Sequence, residues 1–239
     1  MFTLPNKIEN FDKFIDFPFT IFEKKNFLDR KFYNELRNSF PGKDKMTKIE
    51  SKGLKTALNN ECTTFQKVIS DNEPWKIFYN YLNQKKTIFL FCNLIQKELN
   101  KIQERKKLKK FFFIENDHAE HKRKIFTKIK KKITSQFYQN INFSFEFSIL
   151  NNNCHIPPHA DSTKSILSLM LYFPEENYKN IDLKKVNDLG TNFYKKKDEV
   201  NEIFIDGWEK DKLLSEKEAI LFKKNYEIFY KTRFEENTL

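Results

Sequence analysis

Two side chains that can bind a metal ion stand close together in the segment 151–174, NNNCHIPPHADSTKSILSLMLYFP. His159 and Asp161 are separated by one residue and follow Pro157 and Pro158 directly. The two prolines favour an extended backbone, in which residues i and i+2 point to the same side. The imidazole and the carboxylate would then face one small volume. They supply two of the three protein ligands in the 2-His-1-carboxylate site that binds ferrous iron.

Two strongly patterned segments flank this pair, and both predict strands. In 143–150, FSFEFSIL, phenylalanines and an isoleucine alternate with Ser144, Glu146 and Ser148. In 165–173, SILSLMLYF, one predicted face carries Leu167, Leu169, Leu171 and Phe173. Shorter strands are predicted at 190–196, 219–224 and 237–239, with turns at Gly190 and Gly207.

The N-terminal half of the sequence predicts mainly helices. The predicted elements are a strand with Phe17, Phe19 and Ile21 on one face, a helix with Leu28, Phe32 and Leu36 at helical spacing, a polar loop over 43–62, one broken helix or two helices over 73–110, and a basic helix over 119–134. Pro41-Gly42 is expected to end the first helix. Helices followed by antiparallel strands predict an α+β fold whose strands form a sandwich or barrel.

The segment PPHADSTKSILSLMLYFP resembles the part of iron(II)/2-oxoglutarate-dependent dioxygenases that carries their first two iron ligands. FPFTIFEKKNFLDRKFYNELRNSFP is similar to the N-terminal strand and helix of many members. GTNFYKK resembles the strand that follows their second-ligand loop, and AILFKKNYEIFYKTRFEENTL the approach to the last core strands. The resemblance touches both ends of the chain and leaves about 43–133 unmatched.

The resemblance implies a double-stranded β-helix, or jelly roll, buttressed by N-terminal helices. We therefore expect a single oxygenase-like domain over 1–239, with a strand and mainly helical support over 1–134 and the jelly-roll core over 135–239. His159 and Asp161 would bind Fe(II), with 2-oxoglutarate as cosubstrate and O2 as oxidant. The implied reaction hydroxylates an unknown substrate and releases succinate and CO2. Since halogenating relatives have a small residue at the position of Asp161, halogenation is disfavoured.

The family's third iron ligand, a downstream His, has no counterpart here, because no His follows His159. The Arg or Lys that binds 2-oxoglutarate beyond that His is missing too. Three explanations stay open: the sequence is a fragment, it is a degenerate member without iron, or another residue such as Asp206 is the third ligand. A fragment would bind iron weakly through two ligands and leave an unpaired sheet edge. We therefore expect this chain to be inactive and its full-length parent to be an oxygenase.

Other histidines offer weaker metal sites. Glu115 and His118 have the Glu-x-x-His spacing of di-iron helical bundles, but those sites need a second such pair, which the sequence lacks. His121 stands one helical turn after His118. A solvent-exposed, charged helix start explains these histidines better than a metal site does. His155 would share the face of His159 in an unbroken strand. It would then line the pocket, support a ligand through a hydrogen bond, or lie at the surface.

The charge balance supports a rival function. The net charge is +11, and the basic segment 101–133 contains interleaved aromatic residues. That segment is compatible with a module that binds nucleic acid or another anionic surface. A second alternative is a non-catalytic jelly-roll protein. We do not favour a nucleic-acid partner, because an A/T-rich codon bias towards Lys, Asn, Ile and Phe and a solvated surface also explain the charge.

The cysteines and the chain start indicate a compartment. Cys62, Cys92 and Cys154 are few and widely separated, so they predict neither a CxxC metal site nor a disulfide framework. A reducing cytoplasm is expected. The N-terminus lacks the pattern of a signal peptide. No uninterrupted apolar run of about 18 residues predicts a membrane span, and we expect no membrane partner.

Overall fold

The structure is a computed structural model that describes residues 10–16, 20–49, 55–96, 99–100, 110–113, 138–141, 143–150, 167–174, 189–197 and 216–239. The chain forms two compact units. One contains 11–58 and 147–239, and the other contains 59–146. No helix among the described residues is both long and apolar enough to cross a bilayer.

The described residues form small sheets and five α-helices. The strands are β1 (Lys13–Ile15), β2 (Ile21–Glu23), β3 (Thr47–Ile49), β4 (Lys55–Asn59), β5 (Lys110–Phe113), β6 (Tyr138–Ile141), β7 (Glu146–Ile149), β8 (Asn192–Lys196) and β9 (Tyr226–Lys231). They pair as β1–β2, β3–β4–β7, β5–β6 and β8–β9. The β5–β6 pair is parallel, whereas β1–β2, β3–β4 and β8–β9 are antiparallel. The helices are α1 (Arg30–Asn38), α2 (Thr63–Ser70), α3 (Glu73–Leu82), α4 (Lys85–Leu94) and α5 (Glu216–Asn225).

Helix α1 begins where the sequence supplies a cap. The Asp29 carboxylate accepts hydrogen bonds from two backbone N–H groups of the first turn, at 3.0 and 3.2 Å. Such a cap satisfies amides that have no partner within the helix. Tyr33 and Leu36 form the buried face. The predicted helix is confirmed, but Leu28 lies before its first turn, and the helix ends at Asn38, ahead of Pro41-Gly42.

The helices of the second unit confirm one prediction and show one omission. A turn at Asn83–Gln84 separates α3 from α4, so the predicted break within 73–110 is real. The Asn72 side chain caps α3 by accepting a hydrogen bond from the Trp75 N–H at 3.3 Å. The sequence analysis missed α2 entirely. Its buried side chains are Phe65, Val68 and Ile69, at the three- and four-residue spacing that predicts a helix.

The strand predictions had mixed outcomes. The strand predicted over 143–150 is confirmed only at Glu146–Ile149, which is β7, with Phe147 buried and its neighbours Glu146 and Ser148 exposed. Strand β8 is confirmed within the predicted range 190–196. The predicted loop at 43–62 is wrong, because β3 and β4 form an antiparallel pair there. The buried positions of β4 include Lys55, so this strand lacks the apolar alternation on which the prediction relied.

Two further predicted strands differ from the structure. Residues 219–224 belong to helix α5, not to a strand. A short apolar run such as AILF does not distinguish the two periods. Residues 167–174 form no regular strand, and Leu167, Leu169 and Met170 are all exposed, so the predicted two-faced alternation is absent there. The described residues show no jelly roll, since their sheets have two or three strands.

The strand pairs β1–β2 and β8–β9 contact each other in the first unit. The Tyr230 hydroxyl of β9 donates a hydrogen bond to the Glu23 carboxylate of β2 at 2.6 Å. The Lys13 ammonium of β1 lies 4.0 Å from the centre of the Tyr230 ring. Burial, together with the Glu23 carboxylate, raises the pKa of Tyr230, so the hydroxyl stays protonated as a donor.

Candidate functional site

The predicted iron ligands His159 and Asp161 lie outside the described residues. The same is true of Cys154, His155, Asp206, Gly207, the Glu115–His118–His121 group and the predicted basic helix. Within the described ranges, no group of three His, Cys, Asp or Glu side chains could hold a metal ion. Those ranges therefore supply no complete ligand set for iron by themselves. The structure does describe the segments on both sides of the motif. We call the contacts that hold these segments, those of Phe147, Tyr172 and Phe173, the frame.

The two segments that flank the motif converge on one aromatic ring. Phe40, which follows α1, lies 5.4 Å from Phe147 of β7, edge to face. The same ring lies 5.6 Å from Phe173, in the segment after the motif. Phe147 precedes His159 and Phe173 follows it. The part of the chain that contains the motif is therefore held at both ends close to Phe40.

Tyr33 of α1 anchors the segment after the motif more specifically. Its hydroxyl donates a hydrogen bond to the Tyr172 carbonyl oxygen at 2.9 Å. Its ring stacks on Phe173, with centroids 5.1 Å apart and planes within 5°. Tyr33 is fully buried. Burial raises its pKa to about 12, so the hydroxyl remains a hydrogen-bond donor at every physiological pH.

A network of three hydroxyl groups joins the same segment to the strands β8 and β9. The Tyr172 hydroxyl lies 2.9 Å from Thr191 Oγ1 and 3.2 Å from Thr232 Oγ1. The Thr191 N–H donates to Thr232 Oγ1 at 2.9 Å. In return, the Thr232 N–H donates to the Thr191 carbonyl at 3.0 Å. Tyr172 is thereby fixed through both its hydroxyl and its carbonyl.

Gly190 makes this close approach possible. Its φ of 112° lies in a region that L side chains rarely adopt. A Cβ at this position would also collide with the Thr232 carbonyl oxygen. The predicted turn at Gly190 therefore has a second role, since it lets Thr191 reach Thr232.

Sequence reasoning identified none of the contacts that build this frame. Tyr33, Phe40 and the three hydroxyl residues Tyr172, Thr191 and Thr232 carry no spacing that predicts their meeting. The one available signal was the glycine before Thr191, which marks a tight turn or a close backbone approach.

Comparison with known proteins yields no match to a family model, a curated protein or a solved structure.

Proposed function

We propose that this chain belongs to the Fe(II)/2-oxoglutarate-dependent oxygenases and that His159 and Asp161 bind the iron. The observation that carries the proposal is the H-x-D spacing directly after two prolines. The frame supports it. Phe147 and Phe173 both contact Phe40, so the ends of the segment that contains the motif are close together. An oxygenase needs its first two ligands on such an anchored segment, because metal ligands must be held in a fixed geometry.

The donor set suits ferrous iron. An imidazole nitrogen and a carboxylate oxygen are the ligand types that non-haem Fe(II) sites use. A metal held there would supply the hydroxylation chemistry, with O2 as the oxidant and 2-oxoglutarate as the cosubstrate, while the protein would supply ligands, orientation and a dry pocket. His159 would contribute a neutral ligand, and Asp161 would offset part of the metal's charge. With only two protein ligands assigned, we expect this chain to bind the metal weakly.

The proposed compartment is the reducing cytoplasm. Cys62 and Cys92 are free thiols in the structure. Burial raises the pKa of Cys92, so this thiol stays protonated and unreactive. Both observations agree with a compartment in which disulfides do not persist.

Manganese binding tests the proposed ligands without requiring turnover. Mn(II) binds similar oxygen and nitrogen ligands, and electron paramagnetic resonance measures its free concentration. We expect the chain to bind Mn(II) and to bind it more tightly when 2-oxoglutarate is present. His159→Ala and Asp161→Ala should each weaken binding by at least about tenfold, because each removes a direct ligand.

His118→Ala is the matched control, since it removes another histidine of the same chain. Equal losses of Mn(II) affinity in all three variants would show general surface binding and would contradict the assignment. Mn(II) affinity that is the same with and without 2-oxoglutarate would contradict it too. Succinate release measures the separate expectation of inactivity. Robust 2-oxoglutarate turnover by this chain would show that a third ligand lies within the 239 residues.

A further inference from the structure

Helix α5 presents an unusual combination of side chains to solvent. Lys217, Ile220, Lys223 and Lys224 are all exposed. Ile220 stands three residues after Lys217, three before Lys223 and four before Lys224, so the four share one face of the helix. Ile220 is 69% exposed, the highest value among the exposed large apolar residues of the described chain. Ile220 thus shares an exposed helical face with three lysines.

The opposite face of α5 fixes this orientation. Phe222 is buried, and its ring stacks on Tyr226 with centroids 4.7 Å apart. It also meets the Tyr194 ring of β8 edge to face at 4.9 Å. Asn225, at the end of the helix, is buried as well. Because these contacts hold the inner face, the helix cannot rotate to bury Ile220 without breaking an aromatic cluster.

Strand β8 adds positive charge at the same end of the helix. The residue after it, Lys197, donates its backbone N–H to the Asn225 carbonyl at 3.0 Å and its ammonium to the Lys223 carbonyl at 3.3 Å. Among the described residues, no carboxylate lies within ion-pair distance of Lys217, Lys223 or Lys224. The acidic side chain of Glu227 is engaged by Lys195 at 3.0 Å.

Helix stability accounts for only part of this arrangement. Lysines in the last turn favour the negative end of the helix dipole, which explains the positions of Lys223 and Lys224. That effect gives no reason for Lys217, which lies in the first turn between Glu216 and Glu218. Nor does it explain Ile220, since exposing a large apolar side chain to water is unfavourable.

We propose that this face of α5 binds the surface of an anionic lipid bilayer. Ile220 enters the boundary between headgroups and acyl chains, and the three lysines bind the lipid phosphates, as basic residues near an anionic bilayer do. A nucleic acid fits less well, because bases stack on aromatic rings and Phe222 and Tyr226 face inward. The inference goes beyond the proposed oxygenase function and does not rest on it. It departs from the expectation of no membrane partner, which rested on the lack of a spanning segment.

Vesicle sedimentation tests the proposal with the full chain. We expect binding to vesicles of phosphatidylcholine with phosphatidylserine, and little binding to phosphatidylcholine alone. The triple variant Lys217→Gln, Lys223→Gln, Lys224→Gln should bind on the order of a hundredfold more weakly, since each lysine near an anionic surface contributes about fivefold. Ile220→Ser should weaken binding by about tenfold, because it removes the inserted apolar group.

Matched variants in helices α2 to α4 separate location from charge. Lys67, Lys85 and Lys86 are exposed, and changing all three to Gln alters the net charge equally. Ile77 of α3 is an exposed isoleucine, 47% accessible, so Ile77→Ser matches Ile220→Ser. Both control variants should bind vesicles like the unchanged chain. Equal weakening in the two lysine triples would overturn the proposal, because it would show an effect of net charge alone.

Two further measurements keep the test decisive. Circular dichroism shows whether each variant is folded. The unchanged chain already contains Trp75 and Trp208, so the emission of Ile220→Trp is measured as the difference from the unchanged chain. An inserted indole should shift this difference spectrum to the blue when anionic vesicles are added, and no shift would overturn the proposal even if the lysine triple fails to fold. Fluorescence anisotropy with a single-stranded oligonucleotide tests the nucleic-acid alternative. If the α5 variants lost oligonucleotide binding while their vesicle binding was unchanged, the face would be assigned to nucleic acid instead.

Discussion

Two regions of the molecule are held together by opposite means. In the second unit, Phe65, Trp75, Phe78, Tyr79 and Phe145 form what we call the aromatic cluster. The Trp75 ring lies 6.0 Å from Phe78 and 6.2 Å from Phe145, in both cases edge to face. Phe65 meets Tyr79 in the same way at 5.5 Å. This geometry is the one that aromatic pairs prefer, and the stabilisation comes mainly from removing large rings from water.

In the first unit, the C-terminal residues 235–239 contact residues 24–37 through polar groups, and we call this set of contacts the C-terminal clamp. The Asn237 side chain accepts a hydrogen bond from the Leu28 N–H at 2.8 Å and donates one to the Leu28 carbonyl at 2.7 Å. Lys24 and Leu239 exchange two backbone hydrogen bonds, of 2.9 and 3.0 Å. Arg30 pairs with Glu236 at 3.1 Å.

The contrast indicates how each region should respond to change. The rings of the aromatic cluster pack by shape and contain no charged group. The stability of the cluster therefore depends on how well the side-chain volumes fill the space, and hardly on salt or pH. The C-terminal clamp depends on individual donors and acceptors across 209 positions of sequence. When a buried polar group there loses its partner, the loss of unfolding free energy exceeds the net contribution of the hydrogen bond.

Trp75→Ala should cause the largest loss, about 3–5 kcal/mol of unfolding free energy, because it leaves a cavity in the aromatic cluster. Trp75 is 1% exposed. Urea unfolding followed by circular dichroism measures the change, and it should be the same at low and high salt. Ile77→Ala, on the exposed side of the same helix, should cost less than about 0.5 kcal/mol. A loss for Trp75→Ala that shrinks in high salt would contradict the apolar account.

Asn237→Ala should cost about 2–4 kcal/mol, since it leaves the buried N–H and carbonyl of Leu28 without partners. Asn237 also has a φ of 55°, which asparagine tolerates better than alanine. Asn237→Gly separates the two effects, because glycine removes the amide but accepts the backbone conformation. Hydrogen exchange of peptides from 24–38 is the local measurement. If Asn237→Gly behaved like the unchanged chain, the side-chain hydrogen bonds would not be what holds the clamp.

The same contrast explains what the sequence could predict. Helix α1, strand β7 and the break between α3 and α4 depend on local periodicity, caps and turns, and each was predicted from neighbouring residues. The C-terminal clamp was not. The predicted strand at 237–239 is wrong, because 236–237 form a turn and only Leu239 exchanges backbone hydrogen bonds with Lys24. Nothing in the sequence indicates that Asn237 reaches Leu28. Such pairs are fixed by tertiary packing, which single-sequence patterns do not encode.

The candidate site divides in the same way. The ligand types and their spacing at His159 and Asp161 are local, so the sequence alone suggests iron chemistry. The frame is not local. Phe40 contacts both flanks of the motif, and Tyr172 contacts Thr191, just before β8, and Thr232, just after β9. The wrong strand prediction at 219–224 has a related cause. Whether AILF is helical depends on Phe222 finding Tyr194 and Tyr226, which no pattern within the segment reveals.

Glu235 gives the smallest effect and shows the clamp's sensitivity to pH and salt. Its carboxylate lies 2.9 Å from the Lys25 ammonium, and that hydrogen bond holds its pKa below the usual range. The folded chain therefore binds the proton less readily than the unfolded chain does. The contribution to stability is present above the ordinary glutamate pKa of about 4.3. It is lost as the pH falls through the lower pKa of the folded state.

Glu235→Gln should therefore lower stability at pH 7 by less than about 1 kcal/mol, the usual value for a partly exposed ion pair. The difference from the unchanged chain should vanish in acid, and it should also shrink at about 1 M salt, where screening shortens to about 3 Å. Hydrogen exchange of peptides from 24–38 at two pH values and two salt concentrations measures it. Peptides from 63–82, in the aromatic cluster, are the internal control, because their hydrogen-exchange rates should be the same with and without the substitution. A Glu235→Gln effect that persists undiminished in acid would mean that Glu235 acts through packing, and the polar account of the clamp would then rest on Asn237 alone.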